Sequence, residues 1–308
     1  VPVIVLADAA VIRFPDSVDL DDPDPRMALG CRLDGAVVVT GADGLAIRGG
    51  NFVFDRQEML VASNDPVQLE WAGHVGRADG VEVQLGALQG EPTSSGPAAG
   101  PVREVRLMKN VELELALPAQ GRGAGSSVAA ANWKIDCDGP LAVDPVRLVA
   151  EFFNNVKVRR PTVLDQWDTL ECQQLGLRFR RKRDPAKAKK VGRLGRGAVE
   201  FVQLVAAGTP VSVGSVARDL QARSQRVVYQ AANGTVELRG DVVARWKQGK
   251  LNCQHASLAR GADGRIERAL CRGAGSLTWQ LPGTPSLPMT ARWSRQMTLD
   301  PEPETGQD

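Results

Sequence analysis

The stretch that decides the fold is Gly234-Thr-Val-Glu-Leu-Arg-Gly-Asp-Val-Val-Ala-Arg, followed after a short turn by Gly249-Lys-Leu-Asn-Cys-Gln-His-Ala-Ser-Leu. Apolar and polar side chains alternate in both segments, which is the period-two pattern of a strand with one buried and one solvent-exposed face. A glycine begins each segment, as expected where the chain turns back. The two segments therefore predict an antiparallel pair of β-strands.

The same alternation recurs along much of the chain. It is found in Ala36-Val-Val-Val-Thr, Asn51-Phe-Val-Phe, Pro66-Val-Gln-Leu-Glu-Trp, Val81-Glu-Val-Gln-Leu, Val111-Glu-Leu-Glu-Leu and Ser276-Leu-Thr-Trp-Gln. Helical periodicity is hard to find, and the best helix candidate, which starts at Asp144, also alternates, so it is interpreted as a strand. The sequence therefore predicts an all-β fold of short antiparallel strands.

The strands also recur as groups. Residues 44–71, 214–240 and 249–279 each contain a glycine, an apolar strand, a polar turn and a second strand, and a fourth copy begins at Trp167. The turn of the fourth copy is expanded into a basic segment around residues 180–197. Because a single strand pair cannot bury its own apolar face, these repeats predict a stack of strand pairs.

Length and loop composition predict two stacked halves. The chain has 308 residues, and domains average roughly 150 residues. The Gly/Ser/Pro-rich stretches at 90–101 and 121–127 are typical of loops. We predict four segments: a β-repeat half over residues 1–90, an irregular linker with strands over 91–140, a second β half over 141–290 and a C-terminal tail over 291–308.

Composition and charge exclude several kinds of chemistry. The only histidines are His74 and His255, which excludes a histidine-rich metal centre, and no metal or other cofactor is predicted. The net charge of +2 is too small to indicate nucleic acid as a partner. No transmembrane segment is predicted, because glycine and proline interrupt the longest uncharged run, residues 201–217.

The cysteines show no C-x-x-C spacing, which argues against zinc ribbons and thioredoxin-type sites. They are Cys31, Cys137, Cys172, Cys253 and Cys271. An odd number cannot pair completely within one chain, and the sequence does not choose a disulfide pair. Small buried thiols are the expected role.

Three consecutive segments resemble a known repeat. They are Val236-Glu-Leu-Arg-Gly-Asp-Val-Val-Ala-Arg, Gly249-Lys-Leu-Asn-Cys-Gln-His-Ala-Ser-Leu and Arg265-Ile-Glu-Arg-Ala-Leu-Cys-Arg-Gly. Their order is similar to the repeat of the OstA-like lipopolysaccharide-transport family, which includes LptA and LptC. The likeness is strongest over residues 212–280, so the half over 141–290 is interpreted as LptA-like.

A second region resembles the LptC-like form of the repeat, in which an aromatic-Asp turn precedes a Pro-Val strand. This region is Asn51-Phe-Val-Phe-Asp-Arg-Gln-Glu-Met-Leu-Val-Ala-Ser-Asn-Asp-Pro-Val-Gln-Leu. The likeness is fair over residues 36–86 and weak between 100 and 165, where Asn154 replaces a glycine of the pattern. The half over 1–90 is accordingly interpreted as LptC-like.

The resemblance implies a β-jellyroll, also called a β-taco, in which two antiparallel sheets fold in a V around an apolar groove. It implies a non-catalytic scaffold that carries lipopolysaccharide or another amphipathic lipid, with the acyl chains in the groove. It further implies that edge strands pair with other modules of this type or with a second copy. The expected location is the periplasm or cell envelope of a Gram-negative-type bacterium. Because the sequence begins with Val1 rather than methionine, we expect a processed protein or a region of a longer one.

Under this hypothesis, apolar side chains of the alternating strands line the groove. They are Ile47, Phe52, Phe54, Leu69, Trp71, Leu170, Leu175, Leu177, Phe179, Val243, Leu251, Leu258, Leu270, Leu277 and Trp279. Lipid tails and an ordinary sandwich core both need such a surface, since each is driven by removing apolar area from water. The sequence therefore leaves an open groove and a closed core as alternatives.

A basic run supplies candidate contacts to the anionic groups of such a lipid. It begins with Arg178, Arg180, Arg181, Lys182 and Arg183. Arg and Lys bind phosphates and carboxylates through charge-assisted hydrogen bonds. A solvated loop is the alternative interpretation of the same charges.

Catalysis is not predicted. The glycine-rich stretch at 121–127 lacks the Gly-Lys-Ser/Thr ending of a phosphate loop. Asp136 and Asp138 share one face of a predicted strand, as the two carboxylates of a glycosidase pair would, but no aromatic sugar-binding cluster accompanies them. The alternative function to lipid transport is a structural or carbohydrate-binding β-repeat module of a cell-envelope protein.

Overall fold

The computed structural model describes residues 4–15, 28–40, 45–71, 74–86, 102–116, 132–162, 166–181, 199–260, 266–280 and 288–300. Regular structure in these residues is β-strand, apart from one short 3-10 turn at Val216–Arg218. The predicted all-β antiparallel class is confirmed, and the segment after Asp144 forms a turn and then a strand. Nowhere in this part of the chain is there a helix with the length and apolar character needed to cross a membrane.

The strands, in chain order, are β1 Ile4–Arg13, β2 Gly30–Thr40, β3 Ala46–Asp55, β4 Leu60–Trp71, β5 His74–Leu85, β6 Val102–Ala116, β7 Asn132–Cys137, β8 Leu141–Asp144, β9 Val149–Pro161, β10 Trp167–Arg181, β11 Val199–Ser215, β12 Leu220–Gln230, β13 Thr235–Trp246, β14 Gly249–Arg260, β15 Ile266–Arg272, β16 Gly275–Gln280, β17 Pro288–Trp293 and β18 Gln296–Leu299.

The chain divides into two compact units, each assembled from several stretches. The first unit is Val1–Ala116, Lys134–Phe153 and Arg180–Glu200, and the second is Leu117–Trp133, Asn154–Phe179 and Phe201–Asp308. Both units therefore gather residues from more than one of the four predicted segments. Strand β6 lies within the predicted linker, and β18 lies within the predicted tail.

In the first unit, strands β1 to β6 form an antiparallel meander in which each strand pairs with the next. The ladder continues from β6 to β8, and from β8 to the first residues of β9. Neighbouring strands in sequence are thus neighbours in the ladder, as is usual for short connections.

In the second unit, strands β11 to β15 also form an antiparallel meander. Strand β14 has two partners, because its first residues pair with β16 and its last residues pair with β15. Strand β17 then pairs with β16, and β18 pairs with β15. The strand beside β14 is therefore split in two near Gly273, whose φ is 82°.

The ladders of the first unit are interrupted near the middle of the strands. Register shifts lie between Leu33 and Ala36, Arg48 and Val53, Ser63 and Pro66, and Arg77 and Asp79. A β-bulge bends its strand and increases the local twist. Because the shifts fall on successive strands, they form one line across the ladder, which we call the bulge line of this unit.

Polar side chains bond along this bulge line. The Ala36 N–H donates to Asp8 Oδ2 at 2.7 Å, and the Gly35 N–H donates to Asn51 Oδ1 at 3.2 Å. Asn51 Nδ2 donates in turn to Asp65 Oδ2 at 2.6 Å. The first two bonds occupy backbone donors that a bulge withdraws from the ladder, and the third joins side chains of adjacent strands, so each bend is held by its neighbours.

The second unit has an equivalent bulge line. Its register shifts lie between Ala207 and Val211, Arg223 and Arg226, and Arg239 and Val242. Gly240 lies here with φ 78°, and a Cβ at this position would come 2.5 Å from Gln225 Oε1. Only glycine fits a left-handed conformation with a neighbouring side chain so close.

Candidate functional site

Strand register determines which side chains share a face, because residues directly opposite in an antiparallel ladder point to the same side. In the second unit the register defines a continuous row across six strands, which we call the tyrosine row. Its members, in spatial order, are Leu204, Tyr229, Val236, Leu258, Ala269 and Leu299. A second row lies next to it on the same face, nearer the bulge line, and is called the core row. Its members are Ala206, Val227, Leu238, Ala256, Cys271 and Met297.

Two further apolar rows lie on the other side of this bulge line. The leucine row consists of Val213, Ala222, Ala244, Leu251, Leu277 and Ala291. The tryptophan row, at the ends of the strands, consists of Trp246, Gly249, Trp279 and Met289. Leu251 and Leu277 are buried, as most of the core row is, so the buried face of the second unit is apolar on both sides of the bulge line.

Partly or fully exposed side chains are more frequent in the rows that lie further from the bulge line. In the core row Ala206 and Cys271 are fully buried. In the tyrosine row Leu258 is partly exposed, and Leu299 is 48% exposed. On the other side, Leu251 and Leu277 of the leucine row are buried, whereas Met289 of the tryptophan row is 46% exposed. The strand ends thus present apolar side chains that the unit itself does not cover completely.

The first unit shows a similar gradient on one side of its bulge line. Closest to the bulge line, Val81, Leu107, Leu141 and Phe152 stand opposite one another and have no exposed surface. One row further out, the register defines a valine row of Ile12, Cys31, Phe54, Val61, Val83, Val105, Val143 and Ala150. Phe54 and Val61 in this row are partly exposed.

Most of the predicted lining residues lie on these interior faces, but they differ in exposure. The buried ones are Ile47, Phe52, Leu69, Leu175, Leu177, Leu251 and Leu277. The partly exposed ones are Phe54, Trp71, Leu170, Phe179, Leu258 and Trp279. Only the partly exposed set retains surface that another molecule can touch without displacing the protein's own packing.

Two predicted lining residues lie on the opposite face of the second unit. Val243 stands opposite Asn252, whereas the neighbouring Ala244 stands opposite Leu251. Leu270 stands opposite Ser257, whereas Ala269 stands opposite Leu258. Since consecutive residues of a strand point to opposite sides, the register separates Val243 and Leu270 from Leu251 and Leu258.

An aromatic cluster in the second unit was not recognised from the sequence. Phe201 is at its centre, with ring centroids 6.2 Å from Trp133, 5.9 Å from Phe179 and 6.1 Å from Tyr229. The Phe201 and Tyr229 rings are stacked, and that of Phe179 meets Phe201 edge-on. Tyr229 follows the apolar pair Val227 and Val228, where alternation alone does not assign a face. The cluster places partly exposed aromatic rings at the end of the unit that carries the tyrosine row.

The predicted anionic-group contacts are exposed where the structure describes them. Arg178, Arg180 and Arg181 are exposed residues of β10, and Arg180 forms an ion pair with Glu200. Lys182 and Arg183 lie outside the described residues. Arg178 and Arg181 are therefore the predicted cations that have no carboxylate partner within the described part of the chain.

The cysteines are buried or partly buried and form no disulfide. The Cys253 thiol donates a hydrogen bond to Cys271 on the neighbouring strand, which raises the pKa of Cys253 and lowers that of Cys271. Burial raises the pKa of the Cys137 thiol. Across the described residues, no three His, Cys, Asp or Glu side chains are grouped as they would be around a metal ion.

A surface depression of the first unit, with a volume of about 560 Å³, lies on the other face of the sheet. Four of its polar lining residues, Arg48, Gln68, Arg77 and Glu112, stand opposite one another on β3 to β6. Charged and amide side chains therefore line part of the outward face at this place, in contrast to the apolar rows of the interior.

No protein-family model matches the chain, and no curated protein matches it either.

Proposed function

We propose that this chain is a non-catalytic lipid-binding scaffold of the lipopolysaccharide-transport type, with acyl chains held against the apolar rows of its β-sheet. The observation that supports this proposal is that, in the second unit, the apolar rows further from the bulge line are more exposed to water. The tyrosine and tryptophan rows remain apolar at the strand ends, although water reaches them there. Contiguous apolar side chains that stay in contact with water are typical of ligand-binding grooves and interaction sites.

The energetic argument concerns these partly exposed rows. Each methylene group that leaves water for an apolar surface gains about 0.8 kcal/mol, so an acyl chain of a dozen methylenes gains roughly 10 kcal/mol before the cost of ordering it. Trp246, Trp279 and Met289 at one end, and Leu258 and Leu299 at the other, supply such a surface. A bound chain would cover apolar area on both partners.

The bulge line supplies the bend that a groove requires. Each bulge turns its strand, and the aligned shifts at Arg223 to Arg226 and Arg239 to Val242 bend successive strands at the same level. In the proposed arrangement the two halves of each strand form the two walls of a V. The core row then lies near its base, and the tyrosine and tryptophan rows lie near its open rims.

The charged part of such a lipid requires cations that are not already paired. Arg178 and Arg181 are exposed, and they are proposed to contact phosphate or carboxylate groups through charge-assisted hydrogen bonds. The periplasm or cell envelope is the corresponding proposed location, because lipids of this type are moved there between two membranes.

The partner proposed for strand β1 is a second copy of this chain. Strand β1 is exposed on both faces, and Leu6 is 64% exposed. Val5 begins a cross-strand row that continues through Val39, Ile47 and Leu69 into the interior. A strand added beside β1 would extend this apolar row from one copy to the next.

The experiment that tests the function is native mass spectrometry of the chain purified under mild conditions from a Gram-negative host. The expected result is a population with a mass increment that dissociates as a lipid on collisional activation. Protein expressed in a host without lipopolysaccharide should lack that species and acquire it after incubation with lipopolysaccharide. A chain that carries no lipid from either source, and takes up none on incubation, would overturn the proposal and favour a structural or carbohydrate-binding module.

A further inference from the structure

A row of basic side chains runs across the outward face of the second unit. Arg226 on β12 stands directly opposite Arg239 on β13, Arg239 stands opposite His255 on β14, and His255 stands opposite Arg272 on β15. The three arginines are exposed. This row lies on the face opposite the core row, so it is separate from the apolar interior.

The sequence gives this row no acidic counterpart. It ends at Ala207 on one side and Gln296 on the other, so none of its positions is a carboxylate. Like charges directly opposite in a ladder destabilise the sheet. Such an arrangement costs stability in the free protein, and a bound anion would offset that cost.

The ion pairs among the described residues leave most of the positive charge of this row without a carboxylate partner. Arg239 donates to Glu237 on its own strand at 2.6 Å. No carboxylate among the described residues pairs with Arg226 or Arg272. The row therefore offers two free guanidinium groups at its ends and one partly neutralised group between them.

His255 lies in the electrostatic field of the neighbouring arginines. His255 Nε2 is buried and has no hydrogen-bond partner among the described residues. Burial lowers the pKa of His255, and the charges of Arg239 and Arg272 lower it further, although Glu237 opposes them. The imidazole therefore stays neutral between two cations when no anion is bound.

We propose that the row of Arg226, Arg239, His255 and Arg272 is a binding site for a ligand that carries more than one phosphate group. Adjacent strands are about 4.8 Å apart, so the outer arginines are separated by roughly 14 Å across the sheet. This span suits two phosphate groups better than one. Guanidinium groups bind phosphate oxygens in pairs, which gives such a row both affinity and orientation. The site does not depend on the proposed lipid binding in the interior.

The phosphates could belong to a soluble compound or to lipid headgroups in a membrane, and two probes distinguish these sources. Tripolyphosphate binding is measured by isothermal titration calorimetry on the full chain. Binding to vesicles of phosphatidylglycerol, with phosphatidylcholine vesicles as the reference, is measured by co-sedimentation. Binding to tripolyphosphate supports a soluble ligand, and binding to phosphatidylglycerol vesicles without tripolyphosphate binding supports a headgroup surface. Binding to neither probe would overturn the proposal.

The matched variants separate this row from general surface charge. The R226Q/R272Q variant removes two exposed arginines of the row, and R223Q/R292Q removes two exposed arginines from a neighbouring outward row whose other members are uncharged. We expect R226Q/R272Q to weaken binding about tenfold or more, because each lost contact is a charge-assisted hydrogen bond. R223Q/R292Q should change affinity by less than about twofold, since exposed charges outside the contact are screened by salt. Equal losses in both variants would mean non-specific attraction and would contradict the assignment.

Discussion

Phe52 and Phe54 lie two residues apart on the same face of β3, yet Phe52 is fully buried whereas Phe54 is partly exposed. Phe52 stands opposite Leu33 beside the bulge line, and Phe54 stands opposite Cys31 one row further out. The same residue type thus occupies the closed and the accessible part of one apolar face. Phe52 therefore contributes to the packing of the sheet, whereas Phe54 keeps apolar surface that another molecule can contact.

Truncating the two phenylalanines should have unequal effects on stability. Phe52→Ala should lower the free energy of unfolding by about 3–5 kcal/mol, because it removes a fully buried ring and leaves a cavity. Phe54→Ala should cost less than half as much, since part of its ring already contacts water. Urea denaturation followed by tryptophan fluorescence measures both values. Equal losses would show that the two positions are packed alike.

The bulge line makes Gly240 sensitive to a single methyl group. Gly240→Ala should destabilise the protein by at least about 1–2 kcal/mol, because an L-residue with positive φ is strained and its Cβ would press against Gln225. The matched control is Gly176→Ala, because a Cβ at Gly176 would meet its nearest neighbour, the Val205 carbonyl oxygen, at 3.9 Å. Thermal melting followed by circular dichroism tests this pair. A Gly240 variant as stable as the Gly176 variant would argue against a fixed bend.

The buried thiol of Cys137 should make stability fall in alkaline solution. Burial raises the pKa of Cys137 above its ordinary value of 9.0, so above that pH the unfolded chain releases a proton that the folded chain retains. The contribution of the Cys137 thiol to the free energy of unfolding is complete below about pH 9. It is lost as the pH rises through the folded-state pKa, by at most about 1.4 kcal/mol per pH unit. Urea denaturation at several pH values should show a smaller alkaline decline in Cys137→Ala than in the native sequence. Identical declines would mean that this thiol is not protected in the folded state.

Strand β1 should control self-association. Leu6→Glu should shift the chain toward the monomer in sedimentation velocity experiments, because it places a charge on the exposed strand proposed to meet a second copy. Val53→Glu is the control, since Val53 is 51% exposed on β3 of the same unit. Association that is insensitive to Leu6→Glu, or equally sensitive to both changes, would contradict a contact through β1.

The strands could be predicted from sequence because alternation is a local property of the chain. Residues 234–245 and 249–258 form β13 and β14 almost as the pattern indicates. The same pattern does not reveal where a strand bends. Asn51 and Asp241 have positive φ at the two bulge lines. In a sequence, however, an asparagine or aspartate at such a position is equally typical of a turn between two strands. The line of bends depends on partners from other strands, such as Asp8 for Ala36 and Gln225 for Asp241.

The candidate site was predictable only in part, for a related reason. Alternation cannot choose a face where adjacent residues are both apolar, as at Val242 and Val243 or at Leu270 and Cys271. The register with β14 decides both cases, and it turns Val242 and Cys271 inward. A preference for the larger leucine over a small cysteine is therefore misleading, because the pairing with β14 and not the size of the side chain decides which residue points inward.

The most direct test of lipid binding compares two leucines on neighbouring strands. Leu258 on β14 belongs to the apolar tyrosine row, and Leu270 on β15 points to the opposite face, yet both are partly exposed. The measurement is the affinity of a fluorescent fatty acid for delipidated protein carrying Leu258→Asp or Leu270→Asp, with circular dichroism to verify that each variant is folded. We expect Leu258→Asp to weaken binding at least about tenfold, because a carboxylate would stand on the acyl-chain surface, and Leu270→Asp to leave the affinity within about twofold of the native value. Native affinity in a folded Leu258→Asp variant, or an equal loss in both variants, would contradict the claim that this apolar face carries the lipid.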